Sequence, residues 1–531
     1  MAGKRDLPAS VDLLVIGGGV NGLGVAWEAA RSGLSVLVVD KGDWGSGTSS
    51  WSSRMIHGGL KYLEKYDVRL VRESLRDREW LLQQAPHLVK PLPFLLPFYK
   101  GGAHSATALR AGMIAYDVLS FDKSVPRHKT YSRKRTLEMI PDLKADGLQG
   151  SAIYYDAQVE FSERLCVELL LAAQRAGAQA VNHMKVERLT LEGNRVTGAD
   201  IRDELDGRLQ HVDARLTINV SGPWVDDVLA STPESTQRWM GGTKGTHLVV
   251  DAFPGAPSVA MYYESDDGRP MMVLPWLGMY MLGSTDKRFS GDLDTTSADE
   301  EEIDYILRET TKVFPDSGLT RDSVHYWYTG VRPLPYVDAE RTADISRRHE
   351  IKDHAPRTEG LISVIGGKLT TFRALSGHAQ QVIDRKLGRS SSLAPRAALP
   401  GYFVGEVSLP SHIPTNLAER WVRIYGARAV DVAAIYQADA RNREILDPMS
   451  DLTRAEVLLA IRDEQALTLA DVLVRRVVVG WQQDLGRHCA PAIAQAMAEE
   501  LGWDQARIDR ELADFDNYLR RFTVVDSQVP A

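Results

Sequence analysis

"VDLLVIGGGVNGLGVAWEAARSGLSVLVVD", residues 11–40, decides how the chain begins to fold. The first six residues form an apolar run interrupted only by Asp12, as in a strand of a parallel sheet buried on both faces. Glycines follow at once in the pattern Gly17-x-Gly19-x-x-Gly22, and residues 26–31 suit a helix that Gly33 stops. Residues 34–39 give a second apolar strand, which Asp40 closes 18 positions after Gly22. Each residue type has a physical task. Gly17 permits the tight turn, Gly19 lets backbone approach a pyrophosphate, and Gly22 lets helix and strand pack closely. The pyrophosphate rests on the positive helix end while Asp40 accepts from ribose hydroxyls. The expected start is therefore a Rossmann-type βαβ unit in an α/β protein. This pattern alone does not choose between NAD and FAD.

The whole chain bounds the reading further. Its 531 residues suffice for about two to four domains. A hydrophobic content of 44% and a charged content of 25% suit a soluble globular protein. The net charge of −8 argues against a nucleic-acid binder, which needs a positive surface to neutralise phosphates. Only Cys166 and Cys489 are present, so neither a disulfide framework nor a structural metal site is expected. The N-terminal apolar run is too short for a signal peptide, and no apolar stretch reaches the ~18 residues of a membrane span. A cytoplasmic location is expected, with attachment to a membrane surface left open.

Between about residues 150 and 360, β-like segments such as "LTINV" and "THLVV" alternate with helical ones. A substrate subdomain, roughly residues 90–150 and 225–350, is read as inserted into a cofactor domain spanning 1–395. Serine, proline and glycine cluster in residues 388–412, so 396–412 is read as a linker. Residues 413–531 read as an all-helical domain. Within it, Thr453 and Glu456 form a capping-box signature, and Pro491 suits a first helical turn.

A second glycine-rich stretch, "VIGGKLTTFR" at residues 364–373, looks like a phosphate cradle. A P-loop needs glycine five residues before Gly367 and Ser or Thr directly after the lysine. Ile362 and Leu369 occupy those places, so Lys368 needs another explanation.

The motifs "GTSSWSSRMIHGGLKYLE" (47–64), "NVSGPW" (219–224), "TKGTHLVV" (243–250), "LGSTD" (282–286), "TGVRPL" (329–334) and "GGKLTTFR" (366–373) supply it. In this order they resemble the FAD-dependent, quinone-linked glycerol-3-phosphate dehydrogenases, a branch of the D-amino-acid-oxidase-like flavoproteins. The C-terminal "LTLADVLVRR" is similar to that family's terminal domain.

The resemblance implies FAD as cofactor and sn-glycerol 3-phosphate as substrate, oxidised at C2 to dihydroxyacetone phosphate. It implies His247 as base, with Arg332 and Lys368 polarising the reacting oxygen. It places phosphate ligands at Lys61, where the family often has arginine, at Tyr62 and at Arg347, with Arg348 the competitor of Arg347. Cofactor contacts are expected at Thr48, Ser49, Ser50, Val186, Ser221, Gly222, Gly367 and Thr370. Gly366-Gly367 is expected to end a strand and start a helix whose N-terminus faces the flavin pyrimidine edge, where reduction places negative charge. His57 lies in a loop that approaches the flavin in relatives.

Electrons are expected to pass to a membrane quinone. The oxidase branch carries a long insertion between the residues equivalent to Arg332 and Arg347, whereas fourteen residues separate them here. A glycerol-3-phosphate oxidase, an amine or amino-acid oxidase of the same fold, and a silent FAD-binding protein stand as alternatives. "KSVPRHKTYSRKR", residues 123–135, has six Lys or Arg and no acid, after the apolar "PLPFLLPFY" and "MIAYDVL". This region is expected to meet anionic lipid on the inner face of the cell membrane. Oligomeric state is not legible, and a homodimer remains an open option.

Overall fold

The computed structural model describes residues 5–63, 67–101, 106–338, 345–390 and 397–522, without the side chains of Lys61 and Ala106. The opening unit forms strand β1 (Ser10–Ile16), helix α1 (Val20–Arg31) and strand β2 (Val36–Val39). These strands sit inside an eight-stranded sheet, beside Leu209–Asn219, Leu361–Ile365 and Gln179–Val181. Parallel pairing sets Ile16 beside both Asn219 and Val39, and Asn219 beside Ser363. The carboxyl ends of these strands therefore share one edge, which is where ligands of such sheets bind. Helix α1 packs between the helices Ser162–Arg175 and Phe372–Lys386 over the sheet. Leu13, Val15, Val38, Leu165 and Leu375 meet there with almost no exposure, burying the apolar runs legible in the sequence.

A second, ten-stranded sheet draws its strands from residues 55–56, 89–99, 129–132, 148–159 and 243–332. Strand Thr243–Val250 runs between Val324–Arg332 and Met279–Gly283, with His247 opposite both Tyr328 and Gly283. Alternation along each strand then puts His247, Tyr328, Met272, Leu96 and Tyr154 on one face, and Leu248, Val273, Leu95 and Trp327 on the other.

The C-terminal part is helical, apart from a small hairpin of Ile445–Asp447 with Leu452–Thr453. The capping box at Thr453 and Glu456 forms, and Pro491 sits in the first turn of Ala490–Leu501. This part shares a core with the second sheet rather than standing apart. Arg54, fully buried, shows how firmly the two are joined. Its guanidinium makes a forked ion pair with Glu163 at 2.7 and 2.8 Å and lies between Trp276 and Trp481, 4.6 and 4.3 Å from their centroids. Removing one member of such a pair leaves an uncompensated buried charge, at a cost of about 3–5 kcal/mol. Within the segment read as a linker, the described residues 397–412 hold no helix or strand, yet Leu399 is buried and Gly401 N donates to Glu168 at 2.6 Å.

Candidate active site

One continuous cleft of about 2910 Å³ runs from the carboxyl edge of the first sheet to the face of the second. Gly17, Gly19, Asp40, Thr48, Ser49, Val186, Ser221, Gly222, Gly367 and Thr370 all line it. The turn after β1 has no room for side chains: a Cβ on Gly17 would lie 2.6 Å from Val220 O, and one on Gly22 only 1.8 Å from Gly17 O. Gly22 thus serves the packing of helix on strand and does not itself face the cleft. Ser49 Oγ accepts from Val20 N at 3.1 Å, and Asp40 accepts from Gly18 N at 2.6 Å and Gly42 N at 2.8 Å. Asn21, on the cleft wall, has a buried Oδ1 without a hydrogen-bond partner. A bare glycine turn, a helix N-terminus, an acid at the next strand end and an orphaned amide oxygen suit a dinucleotide diphosphate with its ribose.

Two expectations need correction. Ser50 turns inward, 1% exposed, and donates to Gly45 O at 2.8 Å, so its hydroxyl is spent inside the turn. Gly366 and Gly367 do end the strand Leu361–Ile365, both with positive φ, but the helix begins only at Phe372. Residues 368–371 form a loop between strand and helix, and this loop presents Lys368.

The other end of the cleft is built from widely separated stretches of the chain. Arg332 lies opposite Thr243 on the neighbouring strand, and its guanidinium crosses Gly245, where a Cβ would lie 2.3 Å from Nη2. Only glycine at 245 lets that side chain lie against the sheet. Arg332 Nη2 donates to Ser284 Oγ at 2.8 Å and Thr285 O at 3.1 Å, and Nη1 meets Asp286 at 3.2 Å. Arg347 reaches the other oxygen of Asp286 at 3.3 Å, so one carboxylate holds two guanidiniums. Arg348 is exposed and does not line the cleft, which resolves the pair in favour of Arg347. Lys368 Nζ donates to Ser74 Oγ at 2.9 Å and sits 4.7 Å over the ring of Tyr62. Tyr62 and Arg332 line the same cleft. Lys61 lies outside the described side chains.

His247 is 2% exposed, stacked on Tyr328 at 4.9 Å, with Nε2 2.8 Å from Ser53 Oγ and Nδ1 unpartnered. Burial first, then the charges of Arg332 and Arg54, push its pKa down to about 3. Burial and Lys368 likewise push His57 to about 4. Both rings are neutral near pH 7, so the chamber's charge comes from its cations. Ser53, Ser284, Asp286 and Ser74 went unassigned in the sequence. Asp286 and Ser284 lie in "LGSTD", where only a known register against Arg332 would reveal them.

The comparisons with known proteins follow this geometry. The family described as "FAD dependent oxidoreductase" matches residues 12–379, and "C-terminal domain of alpha-glycerophosphate oxidase" matches residues 362–508. A glycerol-3-phosphate dehydrogenase of Synechocystis is 40% identical, over 97% of each chain. The aerobic glycerol-3-phosphate dehydrogenase of Bacillus subtilis is 30% identical, over 96% of this chain and 94% of that one. The solved glycerol-3-phosphate dehydrogenase of Bacillus halodurans, a complex with FAD, superimposes with a TM-score of 0.78 at 26% identity, over 98% of this chain and 97% of that one. The turn and helix end at Gly17–Val20, Asp40 and Asn21 fit the same cofactor here.

Proposed function

Because the chain belongs to the FAD-dependent glycerol-3-phosphate dehydrogenase family, we propose that it oxidises sn-glycerol 3-phosphate to dihydroxyacetone phosphate and passes the electrons to a membrane quinone. The observation carrying the substrate assignment is the gathering of Arg332, Arg347 and Lys368 around Tyr62 and Asp286 in one cleft. A phosphate monoester needs several cations at once, whereas an amino-acid carboxylate needs a single forked arginine. Initial rates with glycerol 3-phosphate and with sarcosine separate the two classes, and preference for sarcosine would defeat the assignment.

Arg347 and Tyr62 grip the phosphate, with Lys61 as a third candidate. Arg332 and Lys368 stand beside the C2 oxygen and favour its developing negative charge. His247, in contact with Ser53, takes the hydroxyl proton. Burial foremost, and then the charges of Arg332 and Arg54, lower the imidazole's basicity, and the incoming dianion offsets the part due to the arginines. Bound FAD supplies the acceptor for the hydride leaving C2.

The acceptor reading draws support from an apolar arm of the same cleft. From His247 the paired register runs through Gly283 and Met272 to Tyr262, then reaches Leu96, about 19 Å away at the usual strand spacing. Leu63, Phe94, Tyr154 and Leu109 complete its walls. Gly112, inside the helix Ala106–Leu119, also lines it, and a Cβ there would meet nothing within 4 Å. Gly112→Trp can therefore start a side chain into this space without a Cβ contact. It is expected to raise the KM for a short-chain quinone about ten-fold or more while a water-soluble dye is reduced at the normal rate. An unchanged quinone KM would remove the arm from that role.

The same helix exposes Ile114 and Val118, and Phe121 follows, 79% exposed. Of the six basic residues after it, Lys123 pairs with Asp117 and Arg135 with Glu138, while Arg127, Lys129, Arg133 and Lys134 are exposed. An apolar face rimmed by cations suits a leaflet of anionic lipid. Val118→Glu with Phe121→Glu is expected to abolish co-sedimentation with anionic vesicles. Retained binding would contradict the membrane reading.

A further inference from the structure

The dinucleotide fingerprint accounts for Gly17, Gly19 and Gly22 but leaves Gly18 unexplained. In the structure a Cβ on Gly18 would lie 2.4 Å from Trp44 Cε3, and Trp44 is fully buried. Gly45 N donates to Gly18 O at 2.9 Å, and Gly18 N donates to Asp40 at 2.6 Å. The phosphate turn and residues 40–45 therefore interlock.

Much of what fixes residues 40–45 comes from more than 400 positions away. Asp43, 1% exposed, accepts from Arg475 Nε at 2.6 Å and from Arg476 Nη1 and Nη2 at 2.8 and 2.7 Å. Asn182 Nδ2 adds a fourth bond at 2.8 Å. Trp44 Nε1 donates to Gln465 Oε1 at 3.0 Å. The donors are themselves held. Arg475 Nη2 meets Asp471 at 2.7 Å, Arg476 Nε donates to Glu464 O at 2.9 Å, and all six residues of the π-helical segment Asp471–Arg476 are buried. His183 closes the ring, with its ring 2.9 Å from Asp471 and its backbone N donating to Gly42 O at 2.7 Å. The guanidiniums answer the charges of Asp43 and Asp471, so this cluster has no need of a metal ion.

We propose that the C-terminal domain is part of the FAD site: Arg475, Arg476 and Gln465 are positioning residues that hold Asp43 and Trp44, and through them and Gly18 fix the cleft-lining Gly17, Gly19 and Asp40 for the ADP half of the cofactor. Two placements favour this over simple cohesion between domains. The lock grips the residues three and four positions after the ribose-binding acid. Thr468, Ala470, Asp471 and Arg475 also line the cleft alongside Asp40 and Lys41.

The test is titration of full-length apoprotein with FAD, followed by flavin fluorescence, in Arg476→Met and Trp44→Phe. Methionine leaves Asp43 bonded to Arg475 and Asn182. Phenylalanine loses the bond to Gln465 and, with it, the benzo edge of the indole that lies against Gly18. The FAD dissociation constant is expected to rise about ten-fold or more in Arg476→Met, which loses two charged hydrogen bonds to Asp43, and several-fold in Trp44→Phe, which loses one neutral hydrogen bond. The stabilisation that FAD adds to the melting temperature shrinks in parallel. A role confined to cohesion would lower apoprotein and holoenzyme melting equally and leave the dissociation constant within about two-fold, and that result overturns the proposal. Should Arg476→Met fail to fold, Trp44→Phe decides the question by itself.

Discussion

His247→Ala is expected to slow turnover of glycerol 3-phosphate by roughly 10²- to 10⁴-fold, the range of a lost general base. Flavin content and substrate KM should change little, because the imidazole touches neither the diphosphate turn nor Asp286. The residue is buried and firmly held on the cleft wall. It is stacked on Tyr328, contacts Ser53 through Nε2 and keeps Nδ1 unpartnered. Burial, then the charges of Arg332 and Arg54, keep it neutral in the free enzyme, so proton uptake depends on the bound substrate raising its basicity. Ser53→Ala should cost less, since Ser53 orients the ring and the ring accepts the proton. Near-normal steady-state turnover in His247→Ala would take the residue out of the mechanism.

Arg332→Met should lower kcat/KM by roughly 10²- to 10³-fold, as when one preorganised donor at a developing oxyanion is removed. The loss should fall mainly on kcat. Arg347→Met, which weakens ground-state grip on the phosphate, should act mainly through KM. Arg332→Lys should not rescue. The guanidinium uses separate N–H groups for Ser284, Thr285 and Asp286, and an ammonium cannot span that fork. Equal effects on KM and kcat from the two arginines would contradict the division of labour. So would full activity of Arg332→Lys.

Much of the cofactor end was legible because it depends on local pattern. The apolar run, the glycines and Asp40 are neighbours in sequence, and their spacing alone implies the turn, the helix and the strand end. The reactive end became visible only through motif resemblance, since strand pairing brings His247 and Arg332 to the cleft and loops bring Arg347 and Lys368, none of which spacing encodes. Ser50 was misread because three consecutive hydroxyl residues look equivalent until the turn folds one of them back onto Gly45. The late start of the helix after Gly367 has a similar origin: two glycines mark where a strand ends, but not how many loop residues follow. Gly18 was passed over because its explanation, Trp44 held by Gln465, joins positions 421 apart.

The cations that line one cleft are proposed to hold a three-carbon phosphate ester beside FAD. Anaerobic addition of glycerol 3-phosphate to the purified holoenzyme, watched at the flavin absorbance near 450 nm, tests this most directly. Complete bleaching, absent with glycerol alone and severely slowed in Arg332→Met, is the predicted result. A flavin that stays oxidised with glycerol 3-phosphate but bleaches with sarcosine or another amine would contradict the account.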